Sequence, residues 1–129
     1  MTTTIHHEVL FKTSPSKLYE TLTNSQQFSA VTGGAPTEIS QEVGGSFKLF
    51  GGYIEGRHIE LVPSKRIVQA WRPANWEEGL FSIVKFELKE HHEGTLLIFD
   101  HTGVPEDQIA HLDTGWGENY WKPLEKFLG

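Results

Sequence analysis

Residues 44–79, GGSFKLFGGYIEGRHIELVPSKRIVQAWRPANWEEG, alternate apolar and polar side chains between paired glycines, and that pattern decides the fold. Alternation with a period of two puts successive side chains on opposite faces of a strand, while glycine pairs supply the backbone freedom that tight turns demand. The stretch therefore reads as antiparallel strands over residues 46–50, 53–62 and 65–72, with Val62-Pro63-Ser64-Lys65 as a hairpin corner. In the last of these Ile67, Gln69 and Trp71 form one set, taken to face inward, and the opposite set ends in Arg72. The stretch contains no nucleophile motif, metal cage or phosphate loop, so function must rest on a shaped surface or cavity.

Working outward, residues 4–12 carry Ile5, Val9 and Phe11 on one alternating set and read as a strand. Ser14-Pro15 is a helix start, because serine caps free N–H groups and proline at the first helical position forfeits no hydrogen bond. A second short helix is expected over residues 25–31, stopped by Gly33-Gly34 and Ala35-Pro36. Further strands are expected over 38–42, 80–89 and 94–102. Ser82, Val84, Phe86 and Leu88 point in, as do Leu97, Phe99 and His101, which makes His101 a polar entry in an apolar row. A long helix runs from Asp107 or Asp113 to Phe127 on the stripe Leu112, Trp116, Tyr120, Leu124 and Phe127, with a kink or tightened turn predicted at Pro123. This order describes an α+β fold of one domain, residues 1–129, in which a curved antiparallel sheet wraps the last helix to bury its stripe.

The chain has 129 residues, within the usual size of one domain, and 4 Trp, 8 Phe and 3 Tyr for its core. Its formal charge of −6 disfavours nucleic-acid phosphates and anionic membrane surfaces as partners. The absence of cysteine excludes disulfides and thiolate chemistry and fits a reducing compartment. The N-terminal residues MTTTIHHEVLF show no signal-peptide pattern, and no apolar run approaches the roughly 20 residues that span a bilayer. A cytoplasmic protein without a membrane partner is the expectation.

Motifs in order along nearly the whole chain resemble a known family. They are Ser14-Pro15 with Leu18-Tyr19, Ala35-Pro36, Gly44-Gly45-Ser46-Phe47, Gly56, Leu61-Val62-Pro63, Trp71-Arg72 with Trp76 and Gly79, Gly94-Thr95, Gly103-Val104-Pro105, and Gly115-Trp116 with Tyr120-Trp121. Together they are similar to the START-like, or Bet v 1-like (SRPBCC), helix-grip superfamily, and most closely to the C-terminal domain of the activator of heat-shock protein 90 ATPase. The resemblance implies a helix-grip fold, with two short helices after the first strand and space for a ligand-binding cavity between sheet and C-terminal helix. It also implies a heat-shock chaperone as a possible partner in a stress response. By that resemblance the chain is expected to lack the separate N-terminal domain through which the eukaryotic co-chaperone engages its partner.

The candidate ligand-binding residues are Gln69, Trp71, Trp76, Phe81, Phe99, His101, Trp116 and Tyr120, with His58 or Arg57 as further polar groups. A small apolar or amphipathic molecule held there without catalysis is the first reading, since such cavities are apolar with a few placed polar groups. The alternatives are a chaperone-associated interaction module, with Trp76 as an exposed anchor after Pro73, and a cyclase- or hydrolase-like enzyme with His101 as acid or base. A core histidine satisfied by Gln69 or Tyr120 is the structural alternative for His101. No cofactor is expected. His6-His7 and His91-His92 are adjacent pairs whose rings should face opposite ways, which argues against a metal. A Ser82–His101–Asp100 triad is disfavoured because Asp100 and His101 fall on opposite faces.

Overall fold

A computed structural model describes residues 4–128. Strand β1 (Ile5–Phe11) leads into helix α1 (Pro15–Thr23) and helix α2 (Ser25–Val31). Ser14 Oγ accepts the Lys17 N–H at 3.2 Å and caps α1, with Pro15 at the first helical position. Asn24 ends α1 and caps α2 in turn, its Oδ1 accepting the Gln27 N–H at 2.9 Å. One residue thus serves two helix ends and fixes the corner between them.

Six further strands follow: β2 (Glu38–Ile39), β3 (Ser46–Leu49), β4 (Ile54–Val62), β5 (Arg66–Pro73), β6 (Ser82–His91) and β7 (Gly94–Thr102). All pair antiparallel in the order β1-β7-β6-β5-β4-β3-β2, so the first strand closes the meander against the last. The inward sets match the alternation: Ile67, Gln69, Trp71, Ser82, Val84, Phe86, Leu88, Leu97, Phe99 and His101 are buried. Strand β2 is shorter than the 38–42 expected, because Ser40, Gln41 and Glu42 lack an apolar partner set and turn toward Gly44.

Two devices curve the sheet. A bulge between His58 and Glu60 breaks the β4–β5 register and leaves Ile59 exposed. Gly56 permits close approach: a Cβ there would sit 1.8 Å from the Ala70 carbonyl oxygen and 2.7 Å from Phe47 Cζ. Any side chain at 56 would push β4 away from β5 and from Phe47 on β3, so this glycine is steric rather than conformational.

The C-terminal helix comprises α3 (Ile109–Trp116), a π-helical turn (Gly117–Trp121) and α4 (Lys122–Leu128). The turn before Pro123 is widened, not tightened as predicted, with the Lys122 N–H reaching back to the Gly117 carbonyl. Proline at 123 offers no N–H to the ladder and needs clearance from the carbonyl four residues earlier, and a widened turn meets both demands without a sharp bend. The widened turn also brings Trp121 to the inward face beside Tyr120, leaving them 7% and 5% exposed. Phe127, expected on the buried stripe, is 39% exposed, and Leu128 packs against the core instead.

Between β5 and β6 the chain forms a loop that is pinned by Arg72. The guanidinium donates to Glu55 Oε2 at 2.5 Å and to the carbonyls of Trp76 at 2.5 Å, Glu77 at 3.2 Å and Leu80 at 3.2 Å. Five donors in a fixed fork suit one side chain holding a loop of three carbonyls and a carboxylate.

Candidate functional site

The space between sheet and helix is filled for most of its length by rings. Trp116 lies at the centre, 4.3 Å from Phe99, 4.2 Å from Tyr120, 5.3 Å from Trp71 and 5.6 Å from Trp121 between centroids. Offset and tilted pairs of this kind add specificity to the burial of large apolar surfaces.

Within that packing His101 is fully engaged. The Trp116 Nε1–H donates to His101 Nδ1 at 3.0 Å, so Nδ1 carries no proton and Nε2 does. Nε2–H then donates to Ser82 Oγ at 2.7 Å, and the Ser82 hydroxyl donates to the Trp71 carbonyl at 2.8 Å. The partners are Trp116 and Ser82, not the Gln69 or Tyr120 expected. Gln69 lies buried on β5 opposite His58 and Val84. With 0% exposure and no spare nitrogen, His101 has nothing to offer a ligand or a proton-transfer step. Asp100 lies on the outer face, where it accepts from His6 Nδ1 at 2.7 Å, so Ser82 and His101 have no third triad member.

Burial pushes the His101 imidazolium down to about 3 from an ordinary value of 6.5. Below pH 6.5 the unfolded chain takes up a proton at this position that the folded protein refuses until about pH 3. Stability from His101 is therefore complete above pH 6.5 and is lost as pH falls toward 3, at up to about 1.4 kcal/mol per pH unit. Buried His58, also lowered by desolvation, acts in the same direction. His6, raised by Asp100 and Glu8, acts in the opposite one and loses its contribution as pH rises. Urea unfolding at pH 7 and pH 5 should show this fall, and His101→Gln should flatten it.

The ring-filled zone opens at the α3 end of the helix into a pocket of about 340 Å³. The sheet side contributes Phe50, Tyr53, Ile54 and Trp71. The helix contributes His111, Leu112, Gly115, Trp116 and Asn119. Its volume lies at the lower end of the roughly 300–1,000 Å³ typical of small-molecule sites. Trp71, 2% exposed, has no hydrogen-bond partner at its buried Nε1. That indole approaches the Tyr120 hydroxyl closely enough to temper the burial that raises the phenol, without reaching hydrogen-bond geometry. With Nε1 sealed from solvent beside Tyr120, Trp71 gives the pocket apolar ring surface and not a hydrogen-bond donor.

Of the eight expected site residues, the structure brings Trp71 and Trp116 to the pocket wall. Tyr120 supports it from behind through Phe50, 5.6 Å away between centroids. Phe99, His101 and Gln69 are core. Phe81 is corrected outright: next to inward Ser82, it must point out, and it is 47% exposed under the Arg72 guanidinium. Trp76 is not an exposed anchor but packs edge-on against Trp71 at 6.1 Å, its Nε1 buried without a partner. Arg57 is exposed and donates to the Gly44 carbonyl, and His58 donates from Nε2 to the Ser40 carbonyl at 2.7 Å. Both are away from the pocket.

Phe50, Tyr53, His111, Gly115 and Asn119 escaped the sequence reading. The last three recur every four residues beside the apolar stripe, which is the signal that marks a second, more open helix face. His91 and His92 also differ from expectation. At the β6–β7 turn they stack at 4.2 Å, and their donor atoms and that of Glu93 lie within 4.8 Å of one another. His91 Nδ1 also accepts the Glu93 N–H at 3.1 Å, which ties the cluster to the turn backbone.

A family model described as Activator of Hsp90 ATPase homolog 1-like protein matches residues 12–129. The chain belongs to that family. The Activator of 90 kDa heat shock protein ATPase homolog 1 of Homo sapiens is 30% identical over 119 residues, covering 92% of this chain and 35% of that protein. The corresponding homolog of Dictyostelium discoideum is 34% identical over 110 residues, covering 84% of this chain and 28% of its own length. This member of the family thus spans about a third of the curated relatives it matches. An HSP90 activator from Plasmodium falciparum superimposes with a TM-score of 0.88 at 28% identity, covering 100% of this chain and 96% of that one. CalU16 from Micromonospora echinospora, at 19% identity and a TM-score of 0.77, shares the fold. The family's α+β helix-grip architecture is what the topology above displays. Among the described residues no helix is long and apolar enough to cross a membrane.

Proposed function

We propose that this single domain binds a small apolar or amphipathic molecule, without covalent chemistry, in the pocket between α3 and the β3–β4 turn. The observation that carries the reading is the apolar-walled space of about 340 Å³ lined by Phe50, Tyr53, Trp71, Leu112 and Trp116. A concave, mostly apolar space with a few polar groups at its rim is the usual form of a small-molecule site. The engaged state of His101 favours binding over cyclase- or hydrolase-like catalysis. Native mass spectrometry of freshly purified protein is the test: a discrete additional mass, lost on organic extraction, is the expected result. An apo mass alone, unchanged by added apolar compounds, contradicts it.

A second reading, a chaperone-associated module in a cytoplasmic stress response, is favoured by the 30% identity to the human activator over 92% of this chain. Its test is the ATPase rate of a heat-shock protein 90 with and without the domain. Stimulation that survives blocking the pocket supports this reading as independent of the ligand.

A further inference from the structure

The β6–β7 turn brings together three metal-ligating residues that strand alternation would keep apart. Adjacent side chains face opposite ways only while the chain stays extended, and β6 ends at His91. His92 and Glu93 form a two-residue turn closed by the pairing of His91 with Gly94. The change of direction lays the two imidazoles against each other, 4.2 Å between centroids and 27° between planes. One donor atom from each of His91, His92 and Glu93 then lies within 4.8 Å of the other two, and no other group of three His, Asp or Glu among the described residues does so.

The base of the turn is anchored. A Cβ at Gly94 would sit 2.1 Å from the Phe11 carbonyl oxygen and 2.9 Å from the Thr13 nitrogen, so the end of the hairpin packs directly on the chain leaving β1. Thr95 Oγ1 donates to the Thr13 carbonyl at 2.7 Å and fastens the same junction. Above it, the Glu93 N–H that donates to His91 Nδ1 orients the His91 ring over the turn and keeps that nitrogen unprotonated. His92 Nε2 lies 3.5 Å from Glu93 Oε1. Two donors on one tetrahedral zinc ion, with bonds of about 2.0–2.1 Å, stand roughly 3.3–3.4 Å apart, so this pair is already near chelating distance. The His92 and Glu93 side chains are 81% and 57% exposed, and the adjustment that remains is rotation of a ring and a carboxylate in water.

We propose that His91, His92 and Glu93 form a binding site for one borderline divalent metal ion of the Zn²⁺, Ni²⁺ and Cu²⁺ class, with water completing the coordination. Two imidazoles and a carboxylate select these ions over Mg²⁺ and Ca²⁺, which take oxygen ligands. His91 Nδ1 exchanges the Glu93 N–H for the metal, and the released N–H finds water at an exposed turn, so little is lost in the exchange. None of the three residues lines the pocket beside α3, and the site stands independently of the binding reading above.

The experiment is isothermal titration of the untagged full chain with zinc chloride, and with magnesium chloride as the hard-cation control. One Zn²⁺ per chain and no binding of Mg²⁺ are expected. In a long-range ¹H–¹⁵N spectrum the ring nitrogens of His91 and His92 should shift on adding Zn²⁺ while those of His58 and His101 stay still. His92→Ala and Glu93→Gln should each weaken Zn²⁺ by about tenfold or more, since even an outer-shell partner is worth about 10–100-fold at a metal site, and His91→Ala with His92→Ala should abolish binding. Substitutions on this exposed turn should leave the metal-free midpoint of thermal unfolding within about 2 °C of the parent, which separates loss of the site from loss of the fold. His6→Ala, which removes the imidazole held between Glu8 and Asp100, should bind Zn²⁺ as the parent does. No Zn²⁺ binding to the parent, or binding undiminished in the double variant, overturns the site. Loss of binding in His6→Ala alone places the ion elsewhere and overturns it too, and equal affinity for Mg²⁺ overturns the metal class.

Discussion

Trp116→Ala will cost the fold about 3–5 kcal/mol, the penalty for removing a buried Trp from a packed core. Trp116 is 2% exposed and touches Trp71, Phe86, Phe99, Tyr120 and Trp121. The truncation also strips His101 Nδ1 of its donor, a loss that water entering from the adjoining pocket can partly offset. Domains of this size hold about 5–15 kcal/mol in total, so the variant should sit near the edge of folding. Urea unfolding measures the loss, and Trp116→Phe separates its parts. Phenylalanine keeps most of the ring packing and loses only the hydrogen bond, so it should cost about 1–3 kcal/mol. Equal losses for Ala and Phe would show that the hydrogen bond, not packing, dominates.

Arg72→Ala should cost about 2–4 kcal/mol and free the loop between β5 and β6. One guanidinium holds Glu55 and three loop carbonyls, and its side chain is only 10% exposed. Removing one member of a largely buried pair strands the other charge, a loss moderated here because the Glu55 side chain is 35% exposed and can rehydrate. The loop carries Trp76, Leu80 and Phe81, all substrates for chymotrypsin, so limited proteolysis should cut Arg72→Ala within 74–81 while leaving the parent intact under the same conditions. Arg72→Lys should rescue little, because an ammonium cannot reproduce the fork. Undiminished stability in Arg72→Ala would show that the loop is held by Trp76 packing on Trp71 instead.

Strand phasing was legible because each inward row contrasts with charged neighbours, as Val84, Phe86 and Leu88 do with Lys85 and Glu87. The same rule, applied to Phe81 next to Ser82, places Phe81 outside, and the aromatic character of that residue misled the site prediction. Ser82 and His101 were both read as inward, yet their contact is diagonal across β6 and β7, with His101 in register with Val84. Pairwise pattern does not reach such a contact.

Trp121 was invisible to a 3.6-residue period because the π turn adds a residue to the helix just there. Pro123 was the warning, although its consequence was a wider turn and not a tighter one. The pocket itself was the least legible feature. It joins a glycine-rich turn to the flank of a helix some sixty residues later in sequence, and no local period encodes that meeting. His101 was singled out for its polarity, and that polarity proves to be spent within the core.

The central claim is that the space between α3 and the β3–β4 turn takes a small apolar ligand. In a ¹H–¹⁵N correlation spectrum the four indole N–H groups report it, since Trp71 and Trp116 line that space while Trp121 donates to His7 away from it. Titration with 2-acetylnaphthalene, a small apolar probe, should move the Trp71 and Trp116 indole resonances farthest, with the Trp121 resonance nearly still. A saturating titration that leaves Trp71 unmoved, or that shifts all four indoles alike, would contradict the account.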